Sequence, residues 1–329
     1  MIATLNFVQM YPSYFFCGCG RIVSANVSGG YSRSIVFRNR RYLFHQTRQT
    51  MASPTGLTSK RKLNDGNEIP VIGFGVYNAK PGNETEQAVK WALETGYRHI
   101  DTAKCYYNEE SVGKALKESG IPREEIFVTT KLWDDSHGTE KAVAALETSL
   151  KKLGLDYVDL YLIHSPTPGK ELRLESWKAL EKLKKEGKIK SIGVSNYGVH
   201  HLKELLEACT VKPVVNQIEV TPYLARTQIE KFCEKHDILI EAYSPLTMGE
   251  KLKDEKLVKI AEKYGKSTAQ ILIRWSLQKK YIPLPKSVHK ERIESNAQVF
   301  DFEISEEDMK TLDSFDEYFV TEWDPTKYD

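Results

Sequence analysis

The chain has 329 residues, 40% hydrophobic and 28% charged, with a net charge of +2. That is enough for one large globular core, and no apolar run reaches the roughly 18 residues a bilayer span needs. The charge is uneven: residues 1–64 carry nine basic side chains and no Asp or Glu, leaving 38 basic against 45 acidic over residues 65–329, a balance of −7. A mildly acidic body argues against bulk nucleic-acid binding.

Residues 1–50 are rich in Arg, Ser, Tyr and Phe and show no helical or strand period. Positive charge does not precede an apolar stretch, which discounts a secretory signal. Three readings fit: an over-extended start with Met51 the true first residue, a transit-like mitochondrial leader, or a functional tail. In each, residues 1–50 stand outside the fold and residues 51–329 form the domain. The five cysteines, Cys17, Cys19, Cys105, Cys209 and Cys233, make no metal spacing and read as reduced thiols of an intracellular protein. No metal is expected.

From Leu57 the punctuation becomes regular. Residues 57–69, broken at Asn64-Asp65-Gly66, predict a short β-hairpin. Eight apolar, β-branched runs follow, at 71–74, 98–101, 126–132, 157–164, 189–195, 214–220, 238–243 and 281–285. Several are almost continuously hydrophobic, as parallel strands buried on both faces are. Helical periods lie between them, in Val143, Leu146, Leu150 and Leu153, in Leu174, Trp177, Leu180 and Leu183, and in Leu257, Ile260, Ala261 and Tyr264. Gly96, Gly120, Gly154, Gly187 and Gly265 supply stop signals. Eight strand–helix units in about 270 residues predict an α/β fold, a (β/α)8 barrel of the TIM type behind an N-terminal hairpin. The alternative is an open doubly wound sheet. It would want G-x-G-x-x-G after the first strand, and Gly73-Phe-Gly75-Val-Tyr-Asn78 fails at the last position.

Seven of the eight strands end in a polar or aromatic-polar group: Asp101, Lys131, His164, Ser195 with Asn196, Gln217, Tyr243 and Lys286. In a (β/α)8 barrel these ends converge on the catalytic face. Each taken alone has a bland reading: a turn cap, a solvated strand end, a core histidine, core filler. Their common placement favours an active site.

The stretches Asp101-Thr-Ala-Lys-Cys-Tyr106-Tyr-Asn108-Glu109, Lys131-Leu-Trp133, Leu162-Ile-His164-Ser-Pro166, Gly193-Val-Ser195-Asn196 and Ile282-Pro-Leu-Pro-Lys286-Ser287 resemble the signatures of the aldo-keto reductase superfamily, over about residues 57–315. The resemblance implies NADPH-dependent reduction of aldehydes and some ketones, with Tyr106 as proton donor, Lys131 and Asp101 behind it, and His164 orienting the carbonyl. The spacing to Asn108-Glu109 selects Tyr106 over Tyr107. A nearby ammonium is expected to lower the Tyr106 pKa.

The resemblance also implies nicotinamide stacked on Tyr243, its carboxamide held by Ser195, Asn196 and Gln217. Ser244 and Leu246 would line the pyrophosphate path. Lys286, Ser287 and Arg292 match the segment that grips the 2′-phosphate of NADP, Val288 counts among the cofactor-binding residues, and Asn296 would contact adenine. Tyr77, Trp133, His164 and Ser165 would line the substrate pocket. Tyr77 and Ser165 stand where Trp is common, Ser295 where many relatives carry an acid, and His289 where several carry Thr. The short tail after Phe315 implies an open pocket of broad specificity. A monomer in the cytoplasm, acting on a small carbonyl compound without nucleic-acid or membrane partners, completes the expectation. The alternatives are an NAD(P)-linked sugar or hydroxy-steroid dehydrogenase and a non-catalytic cofactor-sensing subunit.

Overall fold

A computed structural model describes residues 55–329. The expectations for residues 1–50, and for Cys17 and Cys19, lie outside the described residues. Strands β1 (Lys60–Lys62) and β2 (Glu68–Pro70) form the antiparallel hairpin, Lys60 opposite Pro70. Its turn places Gly66 at φ 92°, a conformation open to glycine. Asn64 Nδ2 donates to the carbonyls of Pro213 and Asp237, both at 2.9 Å, and Asn67 Nδ2 to Lys190 O at 3.0 Å. These partners lie at or before the starts of barrel strands, so the hairpin closes the bottom. Leu63 and Ile69 then pack in a cluster with Leu160, Leu162, Val215 and Ile282.

Eight parallel strands follow: β3 (Phe74–Gly75), β4 (His99–Asp101), β5 (Phe127–Leu132), β6 (Val158–Ile163), β7 (Ile189–Ser195), β8 (Val215–Glu219), β9 (Leu239–Tyr243) and β10 (Ile282–Pro283). Each pairs with its neighbour in chain order. Two backbone bonds join the ends of the sheet: Gly73 N–H donates to Pro283 O at 3.0 Å and Gly75 N–H to Pro285 O at 3.1 Å. All six residues of β5 are buried, as a strand covered on both faces requires. The run predicted at 189–195 matches its strand, most of the others overshoot by a residue or two at an end, and the run at 71–74 lies early, its strand being Phe74–Gly75.

Helices α1 (Asn83–Thr95), α2 (Glu109–Glu118), α3 (Thr139–Leu153), α4 (Lys170–Lys185), α5 (Val199–Ala208) and α6 (Thr227–His236) alternate with the strands. Helices α7 (Glu255–Tyr264) and α8 (Thr268–Gln278) follow β9, and α9 (Lys290–Ala297) and α10 (Glu306–Asp313) follow β10. Gly96, Gly154 and Gly265 close α1, α3 and α7 in the left-handed conformation. Ser267 and Gln270 form a reciprocal capping box at the start of α8. Leu146, Leu150 and Leu153 of α3 face the core with Trp177, Leu180 and Leu183 of α4. Gly113 lets α2 meet the end of α3, since a Cβ there would fall 2.2 Å from Leu153 O.

Candidate active site

The strand ends open on one cavity of about 1160 Å³ at the carboxyl face of the barrel. At its base Lys131 is fully buried. Its ammonium donates to Asp101 Oδ1 at 2.7 Å, Thr102 O at 2.8 Å and the Tyr106 hydroxyl at 3.3 Å. An ammonium has three N–H groups, and all three are used. The Asp101 carboxylate offsets the cost of burying that charge. Asp101 Oδ2 accepts from Gln217 Nε2 at 2.9 Å, and the same amide donates to Glu241 Oε2 at 3.1 Å.

Tyr106 closes a short 3-10 turn, Lys104–Tyr106. The next residue, Tyr107, sits at φ 57° and is 78% exposed, and does not line the cavity. Asn108 and Glu109 brace this turn. Asn108 donates to Val76 O at 2.9 Å and Ala79 O at 3.2 Å and accepts from Thr102 Oγ1 at 2.8 Å. Glu109 accepts from Thr130 Oγ1 at 2.7 Å. Burial, and then the Asp101 carboxylate, hold the Tyr106 phenol well above its usual value. This reverses the expected lowering. Lys131 is paired with Asp101, so its charge is largely offset where the phenol would feel it.

His164 follows β6 and lines the cavity. Burial, and then the Lys131 charge, hold it well below the usual imidazole range, so it is neutral. Its Nδ1 lies 3.5 Å from Cys105 Sγ. Burial pushes the Cys105 thiol up to about 12. Cys105 is a free thiol, as are Cys209 and Cys233.

The other predicted residues fall into two ends of the cavity. Ser195, Asn196, Gln217, Tyr243, Ser244 and Leu246 line it beside Asp101, Tyr106 and His164, and Lys286, Ser287, Val288, Arg292 and Asn296 line it beyond β10. Tyr243 donates to Asn196 Oδ1 at 2.9 Å, and Asn196 Nδ2 donates to His164 O at 3.0 Å. Lys286 Nζ reaches Asn78 O at 3.1 Å. Tyr77 and Trp133 line the cavity against Tyr106 and His164, with ring centroids 5.0 Å apart in each pair.

Ser165 does not line the cavity; it is fully buried. Its hydroxyl donates to Asp134 Oδ1 at 2.6 Å and accepts from Thr167 Oγ1 at 2.8 Å. Its neighbour His164 takes the cavity side, and successive residues of an extended segment point oppositely.

The tail is short, yet residues 316–329 reach back to the mouth and form part of its wall. Glu317 and Phe319 N–H groups donate to Tyr223 O, at 3.2 and 3.0 Å. Thr321 N–H donates to the Glu219 carboxylate at 3.0 and 3.2 Å, and Arg226 pairs with Asp324 at 2.9 Å. Thr326 O passes so close to Gly198 that a Cβ would lie 2.1 Å from it. This course brings Glu322 and Trp323 into the cavity wall, with the Trp323 ring 6.4 Å from that of Trp133. Sequence reasoning missed both residues. It also missed Cys105, Asn78 and the 267–269 edge of α8, which carry no periodic or strand-end signal.

Among the described residues no group of three His, Cys, Asp or Glu side chains is placed to hold a metal ion.

The sequence profile of the Aldo/keto reductase family matches residues 71–317. The chain is 50% identical over 261 residues to the glyoxal reductase of Bacillus subtilis (strain 168), covering 79% of this chain and 94% of that protein. It is 46% identical over 269 residues to the methylglyoxal reductase of Escherichia coli (strain K12), covering 81% and 95%. The structure of a Bombyx mori aldo-keto reductase in complex with NADP matches with a TM-score of 0.76 at 39% identity, over 80% of this chain and 94% of that one. A buried lysine–aspartate pair beside a half-buried tyrosine at the carboxyl face of a (β/α)8 barrel, joined to these likenesses, shows that the chain belongs to the aldo/keto reductase family.

Proposed function

We propose that the chain reduces aldehydes, and some ketones, to alcohols by hydride transfer from NADPH, with Tyr106 as the proton donor. The observation that carries this reading is the Lys131 ammonium, bound to Asp101 and Tyr106 at the base of the cavity. The glyoxal and methylglyoxal reductase relatives support it, and the NADP-bound neighbour supports the cofactor.

The wall fits such a cofactor. A cavity of about 1160 Å³ exceeds the roughly 300–1,000 Å³ typical of a single drug-sized ligand. One end offers the Tyr243 ring with the amides of Asn196 and Gln217. The other offers Lys286, Arg292 and Ser287, two cations and a hydroxyl suited to a phosphate dianion. When bound, NADPH supplies the hydride.

Lys131 donates to the Tyr106 oxygen, which leaves the phenol's own hydrogen free to face the carbonyl. Burial keeps that proton in place until the substrate oxygen gains negative charge, and Lys131 then steadies the phenolate. The glyoxal and methylglyoxal reductase relatives favour the reductase over the dehydrogenase alternative. His164 is neutral. With the Cys105 thiol donating to Nδ1, its Nε2–H is left to hold the carbonyl oxygen. We assign the chain as a monomer of the cytoplasm. Among the described residues no helix is long and apolar enough to cross a membrane.

The purified chain is expected to oxidise NADPH in the presence of glyoxal, methylglyoxal or simple aldehydes. Absence of aldehyde-dependent NADPH loss across such a panel would end this reading. Lys286→Ala and Arg292→Ala are each expected to raise KM for NADPH by roughly 10–100-fold, the loss of a charge-assisted contact, with little change for NADH. Equal effects on both cofactors would exclude a 2′-phosphate contact.

A further inference from the structure

The substrate end of the cavity has an uneven charge inventory. Its wall is Tyr77, Cys105, Tyr106, Trp133, His164 and Trp323, all neutral or aromatic, with one carboxylate, Glu322. Tyr77 donates to Glu322 Oε1 at 3.0 Å and Oε2 at 2.8 Å, and its ring lies 5.0 Å from that of Tyr106. The contact joins the loop after β3 to the tail, beside the proposed proton donor. Burial, and then Glu322, push the Tyr77 phenol up to about 12, so it stays a donor.

No nearby cation neutralises Glu322. Among the described residues no Lys or Arg forms an ion pair with it. The neighbouring Asp324 is already matched by Arg226, Lys104 by Asp135 at 2.5 Å, and Lys131 by Asp101 at 2.7 Å. The remaining cations of the cavity wall, Lys286 and Arg292, belong to the stretch after β10 that the reading above commits to the cofactor. An anionic substrate would therefore meet an uncompensated carboxylate at the mouth, with no free cation to receive it.

We infer that Glu322 is a specificity-determining residue that turns away carbonyl compounds bearing a carboxylate or phosphate and leaves neutral aldehydes and dicarbonyls as the accepted class. The inference rests on the reductase reading above. Two unit charges of like sign within several ångströms, in surroundings between protein and water, are worth about tenfold in relative rate. The repulsion is reached through solvent, so added salt weakens it.

The test compares kcat/KM for two aldehydes of similar shape, para-nitrobenzaldehyde and para-carboxybenzaldehyde, using the full chain with NADPH. The wild type is expected to favour the neutral aldehyde, and this preference should shrink as salt is raised. Glu322→Gln should shift the ratio toward the carboxylate by about tenfold, and Glu322→Lys further. If the wild type reduces the neutral aldehyde but the ratio is the same in all three proteins, the inference falls and the reductase reading stands. A ratio that shifts in the Gln variant yet ignores salt in the wild type points to shape instead of charge, and also overturns it. If neither aldehyde is reduced by the wild type, both fall.

Discussion

Tyr106→Phe is expected to lower kcat/KM for aldehydes by about 10²–10⁴-fold, the range a positioned general acid contributes, while NADPH still binds. The ring keeps its volume and its contact with His164, whose centroid lies 5.7 Å away. The change removes one hydroxyl, and Lys131 keeps Asp101 Oδ1 and Thr102 O as acceptors. Substituting Lys131 would be a poorer probe, because it would strand the buried Asp101 carboxylate and cost about 3–5 kcal/mol of stability. Steady-state turnover together with quenching of protein fluorescence by NADPH separates the two effects. Full turnover in the variant would remove Tyr106 from the chemistry, and lost cofactor binding would make its role structural.

The second large effect concerns stability. Glu241 lies inside the barrel on β9, fully buried. Its Oε2 accepts from Gln217, while Oε1 has no hydrogen-bond partner and stands 3.7 Å from His99 Nε2. The charged or titratable groups around it are Asp101 and His99 of β4 and Lys131 of β5. Burial, and then the Asp101 charge, raise the Glu241 carboxyl from 4.5 to about 8. The folded state therefore holds a proton that the unfolded chain releases above about 4.5. Stability from this group is complete below that pH and is lost as pH rises to about 8.

His99 is pushed the other way, down to about 3, by burial and then by Lys131, and its effect on stability is spent by about pH 6.5. Between pH 6.5 and 8 the Glu241 contribution stands apart, at roughly 2 kcal/mol from 1.36 kcal/mol per unit. Glu241→Gln should remove that decline. Urea unfolding at several pH values checks it, and parallel profiles for the wild type and the variant would refute a raised Glu241 pKa.

The barrel was legible because most of its strands are apolar, β-branched runs that stop at a polar residue, whereas Tyr106, in the turn after β4, was reached through the family motif alone. Asp101, Lys131 and His164 each sit at such a stop, and the family motifs agree with the geometry. Ser165 was misplaced because adjacency in sequence is not adjacency across an extended backbone: its side chain answers Asp134 while His164 faces the cavity. Glu322 and Trp323 were invisible because the tail has no period. Its path is set by Arg226, Glu219 and the bare Cα of Gly198, all about 95–130 residues earlier. The direction of the Tyr106 shift was misjudged for a related reason: a motif names the neighbouring ammonium but not how deeply both groups are sunk, nor that Asp101 already claims the charge.

The seam between β3 and β10 bears on how the chain is made. Its partners, Gly73 and Pro283, are 210 residues apart, so at about 5–20 residues per second the first strand waits roughly 10–40 s on the ribosome for the last. An unpaired edge of that age invites association with other nascent chains. Here both lips of the seam are two residues long, and the late lip carries Pro283 and Pro285, which can accept a ladder bond but never donate one. The barrel thus keeps its last joint too short and too one-sided to serve as a template for a stranger, and the cost is that closure must await the far end of the same polypeptide.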